Sequence, residues 1–256
     1  MRGAVLLVAA VLALAPPAWA GQAPIVRPIP VPGQSEQQRG AALFAGNCAR
    51  CHGSRGEGLP PRGKNGGPSL KGAGALAADF YLTTGYMPLD KPTAQPVHQR
   101  QPLHRDEIRA LTTYVASLGR GAPVPSAGPG TGDVARGLEL FTSHCAGCHQ
   151  VVAEGGVVTG ARVPPLDRAT PRQIREAVRV GPWVMPRYST KAISPRELED
   201  IVAYVQYAKQ PHDAGGWAIN HLGPFPEGMV TWLLAMVVLI GICVAIGSRV
   251  KRGATG

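Results

Sequence analysis

Aromatic residues are scarce in this sequence of 256 residues, at 5% of the chain with only four phenylalanines. Two small cores built from so few rings would be thin, because a small domain buries little surface and commonly needs a metal, disulfide or other staple. Acidic residues are also few, 16 against 26 lysines and arginines, giving a formal charge of +10. That excess is spread out: residues 34–120 hold 11 basic and 6 acidic side chains, and residues 133–210 hold 10 and 8. No dense basic run with interleaved aromatics exists, so nucleic acid is not an expected partner. Alternating apolar and polar stretches are missing as well, which argues against a sheet protein. The length allows two small domains plus accessory segments.

Long apolar runs occur twice. Met1 and Arg2 precede an apolar stretch from Ala4 to Ala15, followed by Pro16-Pro17 and Ala18-Trp19-Ala20. A basic start, a short apolar run and small residues at −3 and −1 read as a secretory signal over 1–20, cut after Ala20. The alternative is an uncleaved anchor, for which the run is short. The second run, Met229 to Gly247, has no charged residue. At a rise of 1.5 Å, its roughly 19 residues reach about 28 Å, close to the hydrocarbon thickness. Arg249, Lys251 and Arg252 follow at once, which favours a cytoplasmic C-terminus and places everything before the span outside. The expected location is the cell membrane, single-pass, with a transmembrane helix over 229–248 and a cytoplasmic tail over 249–256.

Only five cysteines are present, and four fall in two identical patterns: Cys48-Ala49-Arg50-Cys51-His52 and Cys145-Ala146-Gly147-Cys148-His149. The likeness continues on both sides. Arg39-Gly40 and Leu43-Phe44 precede the first motif at the spacing of Arg136-Gly137 and Leu140-Phe141 before the second. Downstream, Pro68-Ser69-Leu70 answers Pro164-Pro165-Leu166, and Met87-Pro88 answers Met185-Pro186. A last block, Glu107-Ile108, Leu111 and Tyr114-Val115, matches Glu197-Leu198, Ile201 and Tyr204-Val205. First cysteine to methionine is 39 residues in one copy and 40 in the other. One small domain is duplicated in tandem.

Each copy reads as helical. Gly40/Phe44 and Gly137/Phe141 share a helix face at i, i+4. The closing helices carry apolar residues at 108, 111, 115 and 118 and at 198, 201, 202 and 205, an amphipathic pattern. Ser194-Pro195-Arg196-Glu197 is a capping-box start with proline at the first helical position. An aromatic on each closing helix is expected to pack over the glycine on the opening one. Pro-rich residues 21–33 and the Gly/Pro-rich residues 120–132 read as linkers. The expected organisation is therefore a domain over 34–119, a second over 133–210, and a juxtamembrane connector over 211–228.

On a helical turn, two thiols three residues apart reach both vinyl groups of one haem edge, and the histidine that follows points its ring at the iron. C-x-x-C-H therefore reads as covalent haem attachment, with Cys48, Cys51, Cys145 and Cys148 as thioether positions and His52 and His149 as axial ligands. A four-thiolate zinc site would need pairs closer than the 93 residues between Cys51 and Cys145. A thioredoxin-like pair would need a βαβ context. Disulfides remain possible for an exported chain, but they leave the two matching histidines unexplained.

Five methionines are present: Met1 goes with the signal, and Met229 and Met236 lie in the apolar span. Met87 and Met185 remain, one per copy, as the expected sixth ligands, whereas a lone methionine would read as core filler. His98, His104 and His144 have no counterparts in the other copy and read as surface or loop residues. His/Met ligation closes the iron to substrate and raises its potential. Pro68 and Pro164 either offer a carbonyl to the axial ring's other nitrogen or simply make turns. The surplus basic charge either balances haem propionates or faces an acidic partner. Cys243 reads as an inert apolar residue in the span.

The two halves resemble class I cytochromes c over about 80 residues each, which implies an all-α fold of two tandem domains plus one C-terminal transmembrane helix. The tail is more specific. Gly215-Gly216, Leu222-Gly223-Pro224-Phe225-Pro226-Glu227-Gly228, Met229, Trp232 and Ile246-Gly247-Ser248-Arg249 resemble the dihaem cytochrome c subunit of actinobacterial-type menaquinol:cytochrome c reductases, the cytochrome bcc complexes. That resemblance implies two covalent haem c groups and partnership with a cytochrome b subunit, a Rieske iron–sulfur protein and an aa3-type oxidase. One haem would accept the Rieske electron, and the other would replace a diffusible cytochrome c. The stretch with Pro88, Pro92, Pro96 and Pro102 departs from the family pattern and reads as a partner-contact loop. Rival readings are the haem subunit of a periplasmic dehydrogenase, a dihaem peroxidase and a free membrane-tethered shuttle. No quinone site or proton path is legible, so the expected role is that of a redox subunit with no complete active site of its own.

Overall fold

The computed structural model describes residues 24–63, 65–210 and 224–253, with backbone only at 224–227 and 251–253. The expected signal over 1–20, connector residues 211–223 and tail residues 254–256 lie outside the described residues. The chain divides into two compact units with the boundary between Val124 and Pro125. The first contains α1 (Glu36–Asn47), α2 (Ala49–His52), β1 (Leu59–Arg62), β2 (Asn65–Gly67), α3 (Gly74–Thr83) and α4 (Arg105–Ser117). The second contains α5 (Val134–His144), α6 (Ala146–His149), β3 (Gly156–Val158), β4 (Ala161–Val163), α7 (Pro171–Val180) and α8 (Pro195–Lys209), and is followed by α9 (Pro224–Gly253).

Side-chain caps mark several helix starts. Ser35 with Gln38 opens α1, and Ser194 with Glu197 opens α8, each as a reciprocal capping box. Thr170 with Gln173 does the same for α7, with Pro171 at the first helical position and Gly181 closing it at φ +63°. Neither α3 nor α7 is foreseen from the apolar periodicity. The Thr170-Pro171 start carries the same signature as Ser194-Pro195, so α7 was legible from its cap.

The opening and closing helices of each unit meet at a glycine. A Cβ on Gly40 would sit 2.0 Å from the Ala110 carbonyl oxygen and 2.8 Å from Tyr114 Cβ. On Gly137 it would sit 2.0 Å from the Asp200 oxygen and 2.7 Å from Tyr204 Cβ. Only hydrogen fits between these backbones. Beside each crossing an aromatic pair closes the core: Phe44 and Tyr114 have ring centroids 5.1 Å apart, and Phe141 and Tyr204 have theirs 5.3 Å apart. Leu43, Leu111 and Ala110 fill the first core; Ile201, Val202 and Val205 fill the second.

The molecule is helix-rich without being purely helical. Two antiparallel hairpins follow the motifs, β1 with β2 (Leu59↔Gly67, Arg62↔Asn65) and β3 with β4 (Gly156↔Val163, Val158↔Ala161). The all-α expectation holds for the helical framework, to which these two short hairpins are added. With three or four residues per strand, Pro60-Pro61 inside one of them, and tips at Gly63 (φ +60°) and Gly160 (φ +84°), no alternating run is long enough to read.

Residues 24–27, expected to be linker, are fastened to the first unit. Asn47 accepts from Val26 N–H at 2.8 Å and donates to the carbonyls of Val26 at 2.9 Å and Leu43 at 2.8 Å. Arg27 pairs with the buried Glu107 at 2.8 Å, and Ile25 packs on the core. Asn47→Ala is therefore expected to cost about 1–3 kcal/mol, read as a lower denaturant midpoint for the first unit. An unchanged midpoint would show that this segment adds nothing.

In the second unit, Arg175 donates to both carboxylate oxygens of Glu199, at 2.7 and 2.6 Å. These bonds hold the Glu199 carboxyl below its usual range, with burial opposing. A pKa lowered on folding stabilises above the unfolded value, about 4.3, and that stability is lost as pH falls through the folded one. Acidification below about pH 4 is expected to lower this unit's unfolding midpoint. Glu199→Gln should flatten that acid limb, and an unaltered limb would contradict the pairing.

The final helix extends the apolar run at both ends. Residues Gly228–Val250 contain an 18-residue window of mean hydropathy 2.8 with no residue of it buried in the protein, long and apolar enough to cross a membrane. Helix α9 begins at Pro224, where proline needs no N–H partner, so the last residues of the expected connector are helical.

Candidate haem sites

The two C-x-x-C-H motifs adopt one geometry twice. Helix α1 runs into Cys48, whose N–H donates to the Phe44 carbonyl at 2.8 Å, and Cys145 does the same with Phe141 at 2.8 Å. A single turn follows. His52 N–H meets the Cys48 carbonyl at 3.0 Å and His149 N–H meets the Cys145 carbonyl at 2.9 Å. Both thiols of each motif lie on that turn, three residues apart, and all four are free.

The loop after each histidine folds back onto the motif. Gly58 N–H donates to the His52 carbonyl at 2.7 Å, and Gly155 N–H to that of His149 at 3.0 Å. These returns need left-handed backbone just after the histidine. Gly53 (φ +81°) and Gly56 (φ +67°) supply it in the first unit, but Gln150 (φ +59°) and Ala153 (φ +62°) stand there in the second. A side chain in that region costs roughly 1–2 kcal/mol. Sequence reasoning missed these positions, because the first copy signals them with glycine and the second does not.

Both motif-histidine rings are held at one nitrogen. Nδ1 of His52 lies 2.8 Å from the Pro68 carbonyl oxygen, and Nδ1 of His149 lies 3.2 Å from that of Pro164. A carbonyl only accepts, so Nδ1 carries the proton and Nε2 keeps its lone pair for a ligand. The reading in which each proline offers its carbonyl to the ring thus describes the geometry. Gly67 makes room for it, since a Cβ there would lie 3.0 Å from His52 Cε1. Burial lowers the His149 pKa, with the Pro164 bond opposing, so the ring is neutral near pH 7.

The first thiol of each motif sits in an apolar setting. Burial, aided by the neighbouring Cys51, pushes the Cys48 thiol up to about 12; burial and Cys148 push Cys145 up to about 11. Burial thus disfavours the thiolate at both positions, unlike the activated thiol of a redox nucleophile. No group of three or more His, Cys, Asp or Glu side chains able to hold a metal occurs among the described residues. Paired free thiols and a histidine presenting Nε2 do fit a covalently held haem.

The methionines are placed less alike. Met185 is half-buried and packs on the core that contains Cys145, with Ala146 against the same core. Met87 is half-buried, its N–H donating to the Tyr81 carbonyl at 3.2 Å beside the Phe80, Tyr81 and Tyr86 rings. The other three histidines among the described residues are engaged elsewhere. Nδ1 of His98 meets the Thr84 carbonyl at 2.7 Å, His104 caps α4, and the His144 ring lies 6.0 Å from that of Tyr188. The proline-rich stretch 88–104 is tied down by that His98 bond and by Gln101 donating to the Leu82 carbonyl.

Comparison with known proteins decides the family. Residues 37–119 match the profile of cytochrome c, and residues 132–205 match that of cytochrome c oxidase, cbb3-type, subunit III. The cytochrome bc1 complex cytochrome c subunit of Corynebacterium diphtheriae is 35% identical over 237 residues, 84% of this chain and 83% of that protein. The chain belongs to this family. The subunit of the same name from Mycobacterium tuberculosis H37Rv is 35% identical over 219 residues, 82% of this chain and 77% of that one. A cbb3-type cytochrome c oxidase subunit CcoP from Azospirillum sp. B510 is 30% identical over 203 residues, 69% of this chain and 62% of that one. Both C-x-x-C-H motifs fall inside the matched cytochrome c segments, so this member of the family carries two covalently bound haem c groups.

Proposed function

We propose that this chain is the dihaem electron-transfer subunit of a quinol–cytochrome c reductase. In this reading Cys48 and Cys51 hold one haem, with His52 and Met87 as axial ligands. Cys145 and Cys148 hold the other, with His149 and Met185. Each haem iron supplies a one-electron couple, and no substrate position is left open. The observation that carries the reading is the duplicated motif turn whose histidine is fixed at Nδ1 by a proline carbonyl.

The chain's own groups serve that couple. The Pro68 and Pro164 carbonyls orient the rings and make Nε2 a better donor. Once bound to haem the cysteine sulfurs are uncharged thioethers, and the core against which Cys145 and Met185 pack gives the second site an apolar side.

The direction of flow rests on the family resemblance. A Rieske protein beside a cytochrome b subunit would reduce one haem, and the other would pass the electron to an aa3-type oxidase. The membrane span followed by Arg249, Lys251 and Arg252 supports haem domains on the extracytoplasmic side. Purification in mild detergent tests this placement. Co-isolation with a cytochrome b and a Rieske protein, with haem reduction driven by quinol, is expected. A preparation free of other subunits, with haems that quinol does not reduce, would contradict it.

A further inference from the structure

Residues 120–132 contain four glycines and three prolines, a composition that reads as a flexible tether. The structure uses most of them differently. On the first unit, the Ala122 carbonyl accepts from Leu76 N–H at 3.0 Å. A Cβ on Gly121 would lie 2.3 Å from Gly74 Cα. On the second unit, Cβ atoms on Gly130 and Gly132 would lie 2.5 Å from the Ala203 nitrogen and 2.3 Å from the Asp200 nitrogen. These glycines permit close approach and do not provide freedom. Asp133 N–H completes the attachment by donating to Asp200 at 2.8 Å.

Arg175 closes the remaining gap. Its side chain is 6% exposed and engages Glu199 with two bonds. Its Nη1 also donates to the carbonyls of Ser126 at 3.0 Å and Gly128 at 2.8 Å, and its Nη2 to that of Pro129 at 3.2 Å. The fork of a guanidinium can serve a carboxylate and three carbonyls at once, which an ammonium cannot. Between the Ala122 and Ser126 anchors only Pro123, Val124 and Pro125 remain, a short segment whose reach from anchor to anchor is at most about 14 Å.

We infer that Arg175 is a positioning residue for electron transfer between the two haems, because by holding 126–129 it reduces the connection to a three-residue Pro-Val-Pro hinge. The electron-transfer half rests on the dihaem reading above; the linker half does not. Without Arg175 the free stretch between the Ala122 and Gly130 anchors grows from three residues to seven, which lets the units separate further and longer, and transfer between haems slows with separation.

The test uses the full-length, haem-loaded chain in detergent. Hydrogen exchange of the 120–133 peptide and the rate of haem-to-haem equilibration after flash reduction are measured for wild type, Arg175→Gln and Arg175→Lys. Both variants are expected to raise linker exchange about tenfold or more, as losing charge-assisted bonds allows. Both should slow equilibration several-fold while haem content and both potentials stay put. Unchanged exchange overturns the clamp, and raised exchange with an unchanged rate overturns the positioning role. Should the Arg175 variants fail to fold, Pro123→Gly/Pro125→Gly loosens the hinge with every anchor intact; it should also slow equilibration, and an unchanged rate overturns the inference. A wild-type chain without two covalent haems sinks the functional reading instead, while its linker exchange still judges the clamp.

Discussion

Gly137→Ala is expected to unfold the second unit and to abolish haem attachment at Cys145 and Cys148. The methyl group would have to occupy a point 2.0 Å from a backbone oxygen of α8, with Tyr204 Cβ only 2.7 Å away. No flexible side-chain end is in the way, so the two helices must separate, and with them the Phe141–Tyr204 contact. Forced overpacking typically costs up to about 3 kcal/mol, and more where backbone is the obstacle. That is a large share of a small domain's total stability. Gly40→Ala should do the same to the first unit, where the Ala110 oxygen lies 2.0 Å from the methyl position. Gly147→Ala is the control: nothing lies within 4 Å of its methyl position, and the first copy carries Arg50 there. Denaturant unfolding and haem staining read all three. A stable, haem-bearing Gly137→Ala protein would mean that the helices do not cross as described.

Met185→Ala and Met185→Leu are expected to keep the covalent haem and lower its potential. Both thiols and His149 are untouched, so attachment survives in either variant. Loss of a thioether ligand lowers a His/Met iron by on the order of 100 mV, within the roughly 0.8 V that axial ligands span. Two variants are needed because Met185 also packs on the core that holds Cys145. Alanine removes sulfur and volume, whereas leucine keeps the volume and removes only the sulfur. Equal drops in potential therefore report ligation. A drop in the alanine variant alone reports packing, and no drop in either rejects Met185 as a ligand. Met87→Leu makes the parallel test in the first unit.

Features whose cause lies within a few residues were legible in the sequence. The α8 capping box, the glycine–aromatic crossings and the two motif turns follow from local spacing, and the duplication shows the crossings and the turns twice. What stayed hidden depends on distant partners. Glycine serves both backbone freedom and close approach, so Gly121, Gly130 and Gly132 read as a tether until Gly74, Ala203 and Asp200 are seen against them. Residues 24–27 read as linker because nothing nearby announces Asn47 and Glu107 as their partners. The hairpins were too short to show a period. Gln150 and Ala153 carry left-handed backbone that only comparison with Gly53 and Gly56 brings out.

Intact-protein and peptide mass spectrometry of the chain purified from a host able to attach haem, read beside a haem-stained denaturing gel, tests the central claim most directly. Two haem masses per chain are predicted, one on the peptide with Cys48 and Cys51 and one on that with Cys145 and Cys148. An unstained band, or four thiols that still alkylate, would contradict it.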